Sequence, residues 1–295
     1  MKPFPNSAII NVPVPLARQL FEVAEQLPWR SNQEYYDVAC QTEVFNKLQE
    51  ACGEGFQGLI AAIQDCLETP PFSALVKGLQ FDQGHRLFVA LNRAFGVLVA
   101  TPYDHKSPRN QLIHYIHPSA DLAIASDLHK QTERLHTDCA DWPEPSKYIS
   151  MQCVRPDSHG GGRSRQIDMY TLQQLLASCA EPGILDKLHQ EHVPWQLAAY
   201  LGGGVVWRPI LTKNSMCWRR YTIDFALANE GVELSKSMLA TLNILDEVIN
   251  YTDQIIDFAL ETGDFLILDN QRCLHARTPI TNPDTQRLML RAWIQ

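Results

Sequence analysis

The chain has 295 residues, 45% of them hydrophobic, which is enough to bury a sizeable core. Its 33 acidic residues outnumber 25 basic ones, giving a formal charge of −8, and Lys and Arg form no cluster; this argues against a nucleic-acid partner. No apolar stretch approaches the roughly 18 residues needed to span a bilayer, and residues 1–21 carry prolines where a leader would carry charge and an apolar block, so the expectation is a soluble, cytoplasmic protein without membrane association.

The first 70 or so residues are predicted helical. Leu16, Leu20, Ala24 and Leu27 recur at helical spacing, and Phe45, Leu48, Leu59, Ile60 and Ile63 do so again across an interruption at Gly53 and Gly55. Strand signals come later. Tyr148–Val154 is a β-branched and aromatic run, Ile256–Leu260 alternates, Phe265–Leu268 is continuously apolar, and Arg287–Ile294 alternates throughout. Between these, Thr171–Ala180 and the series Met238, Leu242, Leu245, Ile249 predict two further helices. Cys40, Cys52, Cys66, Cys139, Cys153, Cys179, Cys217 and Cys273 form no CxxC pair and read as reduced thiols. The pattern predicts an α+β, mainly β fold: a double-stranded β-helix (jelly roll) core in a single domain over 1–295, with helical cover over about 1–70 and an inserted loop and helix region over about 170–250. Nothing in the pattern specifies an oligomeric state.

Three side chains stand out as metal ligands. In Leu135-His136-Thr137-Asp138 the imidazole and the carboxylate are two residues apart, so an extended backbone projects both from one face and turns Thr137 away. His275 offers a second imidazole. Two histidines and one carboxylate on one face of an octahedral ion leave positions open for a bidentate keto acid and for dioxygen. An HxD tripeptide with a distant His also arises by chance, and the end of the chain adds weight. Alternation in Arg287–Ile294 puts Arg287, Met289, Arg291 and Trp293 on one face and Leu288, Leu290, Ala292 and Ile294 on the other, both apolar enough to be buried. A buried guanidinium needs an anion, either a ligand carboxylate, which its planar fork matches, or an internal Asp or Glu.

At this point the chain resembles the Fe(II)/2-oxoglutarate-dependent dioxygenase superfamily, in particular the family that includes taurine dioxygenase and clavaminate synthase. Leu135–Asp168 resembles the family's HTD strand, the strand after it and the Gly160-Gly161-Gly162 turn. Tyr221 to the terminus resembles its GD…DN…HxR block, here Gly263-Asp264, Asp269-Asn270 and His275-Ala276-Arg277, and its closing arginine strand. Leu75–Leu79 and Leu112–Pro118 are weaker echoes, so roughly two thirds of the chain is covered. The resemblance implies that His136, Asp138 and His275 hold Fe(II) and are the catalytic centre. It implies that Arg287, with eleven residues between it and His275, grips the distal carboxylate of 2-oxoglutarate with help from Ser164, where the family has a threonine. Arg291 would then meet an anionic group of the substrate. The implied activity is hydroxylation of an unactivated C–H bond of a small molecule, such as an amino acid or amino-acid-derived metabolite, with O2 as co-substrate and release of succinate and CO2. Alternatives are desaturation or cyclisation at the same centre, or a non-catalytic binding or sensing protein of the same fold.

Further substrate contacts are less sharply marked. Arg219, Arg220, His114 and Trp142 are candidates, each equally readable as a surface charge, a packing histidine or a structural corner. His189-Gln190-Glu191-His192 lacks the order of a zinc-hydrolase helix and reads as a solvated helix face. Gly202-Gly203-Gly204 lacks the context of a phosphate loop and predicts a flexible loop or lid near the site.

Overall fold

The computed structural model describes residues 1–100, 111–117, 132–179, 181–280 and 285–295; Pro118 and Ala180, the ends of two segments read from sequence, lie outside them. The strands in chain order are β1 (Ile9–Asn11), β2 (Ser73–Lys77), β3 (Leu98–Val99), β4 (His114–Ile116), β5 (Tyr148–Arg155), β6 (Ser164–Asp168), β7 (Val193–Gln196), β8 (Val205–Arg208), β9 (Ile256–Phe258), β10 (Phe265–Asp269), β11 (Cys273–Arg277) and β12 (Leu288–Ile294). A seven-stranded sheet runs β1-β2-β10-β5-β12-β3, with β4 also on β12. A smaller sheet runs β11-β6-β9, and β7 and β8 pair as a separate hairpin. Only the β1–β2 contact among these is parallel.

Sequence pattern explains the layering. Strand β10 is flanked by β2 and β5, so neither edge nor face meets water and its apolar run needs no alternation. Phe265 and Ile267 join a core beneath the N-terminal helices with Leu20, Leu48 and Phe56, whereas Leu268 joins a second core with Leu172, Met238 and Trp195. On β12, Leu290, Ala292 and Ile294 belong to the first core and Trp293 to the second. Helices Val14–Gln26 and Val38–Glu68 form the cover expected at the N-terminus. The interruption at the two glycines is real and divided between them. Gly53 breaks the helix with φ 50° and ψ −130°, and Gly55 lets Leu16 approach so closely that an added Cβ would lie 2.9 Å from its Cδ1.

Some expected boundaries move. The strand read over 256–260 ends at Phe258, and the helix read over 171–180 spans Met169–Ala177, started by Asp168, whose carboxylate accepts from the Tyr170 and Thr171 N–H groups. The inserted region contains the helices Ile184–Gln190, Arg220–Asn229 and Lys236–Tyr251 besides the hairpin. No described helix is long and apolar enough to cross a membrane, and none of the eight cysteines is paired.

Candidate metal centre

His136 and His275 face each other across an antiparallel bridge at the edge of the small sheet, each backbone N–H donating to the other's carbonyl at 3.0 Å. Their rings lie tilted at 42° to each other with centroids 4.7 Å apart. Thr137 turns away as its period predicts: its N–H donates to the Trp218 carbonyl at 2.7 Å and its Oγ1 accepts from the Trp218 N–H at 3.1 Å. Asp138 then returns to the His136 face. The backbone leaves the site immediately afterwards through Cys139, a buried non-glycine residue at φ 58°.

One ligand atom from each of His136, Asp138 and His275 lies within 4.8 Å of the others. Asp138 Oδ1 is 3.2 Å from His136 Nε2 and 3.8 Å from His275 Nε2. Cis donors on an ion with bonds of about 2.1 Å stand about 3 Å apart, so the cluster fits a divalent cation with little adjustment. The hydrogen bonding agrees. His136 Nδ1 lies 2.8 Å from the Arg134 carbonyl, which makes that nitrogen the donor and leaves Nε2 a bare lone pair aimed at a carboxylate oxygen. A cation between the two would take a lone pair from each. Two imidazoles and one carboxylate favour iron(II) with open positions.

The second carboxylate oxygen is separately engaged. Asp138 Oδ2 accepts from Trp293 Nε1 at 2.9 Å and from Arg291 Nη1 at 3.2 Å. Burial raises the Asp138 carboxyl's pKa, but Arg291 and the two histidines outweigh it and hold the group well below the usual carboxylate range. Burial, then the neighbouring His136, push His275 down to about 3, so its ring is neutral at neutral pH and one nitrogen offers a lone pair.

Beside the cluster a cavity of about 410 Å³ is lined by Arg287, Ser164, Arg277, Arg219, Asp141 and Trp142, among others. Arg287 is 3% exposed and meets no carboxylate among the described residues; its Nη2 donates to the Gly162 carbonyl at 3.3 Å and its Nη1 is buried without a partner. Burial and the nearby Arg277 lower its pKa to about 10, still a cation at neutral pH but one with no ion-pair partner among the described residues. An anion in the cavity could take this role, whereas the internal partner foreseen as the alternative is found for Arg291 in Asp138. The glycine turn is shaped around this guanidinium: a Cβ on Gly162 would lie 2.6 Å from Arg287 Nε.

Among the remaining candidates, Arg219 and Trp142 reach the cavity. Arg220 does not, because it is spent in ion pairs with Asp224 and Asp246 on the helix surface. His114 is also set back: its ring packs at a tilt against Trp293 at 4.6 Å, opposite Arg291 in the β4–β12 register, and burial drives its pKa down to about 3. The three glycines at 202–204 have positive φ and lie in the β7–β8 connection, where Tyr200 lines the cavity and accepts from Trp142 Nε1 at 2.7 Å. Tyr200 was not singled out from sequence, and an aromatic beside a glycine run is the signal that was there to read.

Fold and donor set together define a jelly-roll protein with a two-histidine, one-carboxylate centre. The chain belongs to the family described as "Taurine catabolism dioxygenase TauD, TfdA family", whose profile matches residues 57–293. Solved structures share its double-stranded β-helix fold. Asparagine oxygenase superposes with a TM-score of 0.78 at 14% identity, covering 98% of this chain and 93% of that one. A second structure of asparagine oxygenase, in complex with Fe(II), 2S,3S-3-hydroxyasparagine and succinate, superposes at 0.76 and 14% identity over 97% and 93%. The non-heme iron oxygenase OrfP, in complex with Fe, succinate and (3S)-hydroxy-L-Arg, gives 0.73 at 16% identity over 97% and 93%. No curated protein sequence matches the chain significantly.

Proposed function

We propose that this chain is an Fe(II)- and 2-oxoglutarate-dependent oxygenase that hydroxylates a C–H bond of an amino acid or a closely related small molecule. The observation that carries the reading is the three-donor cluster beside Arg287, a buried guanidinium whose Nη1 has no partner among the described residues. His136, Asp138 and His275 would hold the iron, and Arg287 with Ser164 would take the distal carboxylate of 2-oxoglutarate. Iron(II), when bound, supplies the activation of dioxygen coupled to decarboxylation of 2-oxoglutarate. The protein's own work is positioning. The bridge between His136 and His275 fixes the two imidazoles, and Arg287 aims the keto acid by a bidentate grip.

Support for an amino-acid substrate comes from the charges left over. Arg219 and Asp141 line the same cavity, and neither makes an ion pair with a described residue. Burial raises the Asp141 carboxyl while Arg219 opposes the shift. Two cavity charges of opposite sign suit a zwitterion, and the two similar oxygenases hold hydroxylated amino acids.

Anaerobic addition of Fe(II) and 2-oxoglutarate tests the assignment. A weak visible charge-transfer band is expected, absent in His136→Ala, followed in air by succinate release that selected amino acids accelerate. A protein that develops the band but releases no succinate with any of them is a binder or sensor, and the oxygenase reading fails.

A further inference from the structure

We propose that Trp293 is a positioning residue that confines Asp138 to one-oxygen coordination of the metal. The inference rests on reading the cluster as an iron site. In a six-coordinate centre two histidines, a bidentate keto acid and dioxygen use five positions, which leaves one for the carboxylate. Nothing intrinsic to an aspartate enforces that limit, since its two oxygens can both bind a cation. Here the restriction is external. Oδ1 faces His136 and His275, while Oδ2 is turned away and accepts two hydrogen bonds, from Trp293 Nε1 at 2.9 Å and Arg291 Nη1 at 3.2 Å.

The two donors differ in permanence. Arg291 has a side chain 24% exposed and lines the cavity, where its long, flexible stem and remaining N–H groups are open to other acceptors. The Trp293 indole can donate and do nothing else. Its ring is clamped by His114 at 4.6 Å, by Trp142 edge-on at 5.7 Å and by the Arg291 guanidinium at 4.4 Å, and its backbone is paired with Ile149 and Val99 on both sides. A rigid donor held on one oxygen leaves the other as the sole ligand atom.

The test uses the iron-loaded full chain with its aspartates labelled at the carboxyl carbon, read by infrared difference spectroscopy under anaerobic conditions. The variants are Trp293→Phe and Trp293 replaced by 3-benzothienylalanine, an isostere that keeps the ring shape and lacks only the N–H. In the wild type a wide separation of the antisymmetric and symmetric carboxylate stretches, the mark of one-oxygen binding, is expected, and in both variants a narrowed one. The 2-oxoglutarate band should survive in the variants, while oxygen consumption falls about tenfold, the magnitude typical of losing a ligand's outer partner. If Trp293→Phe does not fold, the isostere decides. Iron-loaded variants that keep the wide separation, or a wild type with a narrow one, overturn the proposal alone; a wild type that takes up no iron overturns the reading of the site with it.

Discussion

Asn270 holds both backbone groups of Asp138: its Oδ1 accepts from the Asp138 N–H at 2.9 Å and its Nδ2 donates to the Asp138 carbonyl at 3.0 Å. The same Nδ2 also reaches the Ser146 carbonyl at 2.9 Å, and the side chain is fully buried. One amide thus ties the end of β10 to the segment bearing two of the three proposed ligand atoms. Replacing Asn270 with Ala leaves those groups unsatisfied in the interior, at about 1–3 kcal/mol for each buried group without a partner. The expected outcome is a lower urea midpoint with an unchanged m-value, together with weaker Fe(II) retention. An unshifted midpoint would show that the amide is dispensable.

A small substitution at the glycine turn should act on the co-substrate and spare the metal. Gly162 has φ 64°, and a Cβ there would lie 2.6 Å from Arg287 Nε. The turn cannot recede easily, since Asp157 Oδ2 accepts from the Gly161 N–H at 2.7 Å and the Gly162 N–H donates to the Pro279 carbonyl at 3.2 Å. Gly162→Ala therefore displaces the guanidinium, besides placing a side chain in left-handed backbone at about 1–2 kcal/mol. We expect at least tenfold weaker 2-oxoglutarate binding in an anaerobic titration of the visible band, with iron affinity unchanged. Equal affinities in variant and wild type would separate Arg287 from the keto acid.

Much of this arrangement was legible in the residues, and the reasons differ from place to place. The spacing of His136 and Asp138 encodes one face of an extended backbone, and the Arg287–Ile294 alternation encodes two buried faces; both are local periods that survive folding, except that Met289, expected on the Trp293 face, joins the first core beside a register shift at Leu288. His275 opposite His136 is a pairing between segments 139 residues apart in sequence, which only the resemblance anticipated. Strand β2 and helix Arg86–Arg93 were missed because Ser73–Val76 and every residue from Arg86 to Asn92 are buried, so no polar face betrays their period. Arg220 and Arg219 look equivalent in sequence. Their fates diverge because Asp224 sits one helical turn beyond Arg220 and captures it.

Arg287→Lys keeps the charge and removes the planar fork. A lysine offers the carboxylate a point charge where Arg287 offers two parallel donors, a difference of about 1.5–3 kcal/mol for one charge-assisted hydrogen bond. The 2-oxoglutarate KM should rise by about ten- to a hundredfold while the iron content stays stoichiometric. Arg287→Gln should bind still more weakly, and a lysine variant with wild-type KM would mean that charge alone suffices.

Arg208 fastens the β7–β8 hairpin over the segment that follows the ligand pair. From β8 its guanidinium donates to the carbonyls of Ala140, Trp142 and Pro143, the last two at 3.0 Å, and it lies over the Trp195 ring at 4.7 Å. The far side of the hairpin is tied by the Ala198 N–H to the Asp141 carbonyl at 3.0 Å and by Trp142 to Tyr200, among other contacts. Arg208→Met keeps the apolar stem over Trp195 and deletes the donors, so the connection carrying Tyr200 and three glycines should open more often. Chymotrypsin cleavage after Tyr200 or Leu201 is expected to accelerate at least tenfold under conditions where opening is fast relative to cutting. The Fe(II) and 2-oxoglutarate band should persist, because Arg208 touches neither His136, His275 nor Arg287, whereas succinate release without substrate should rise as water enters the less-covered cavity. Unaltered cleavage at Tyr200 would show that the hairpin is held by its own strand pairing and that the guanidinium is incidental to its closure.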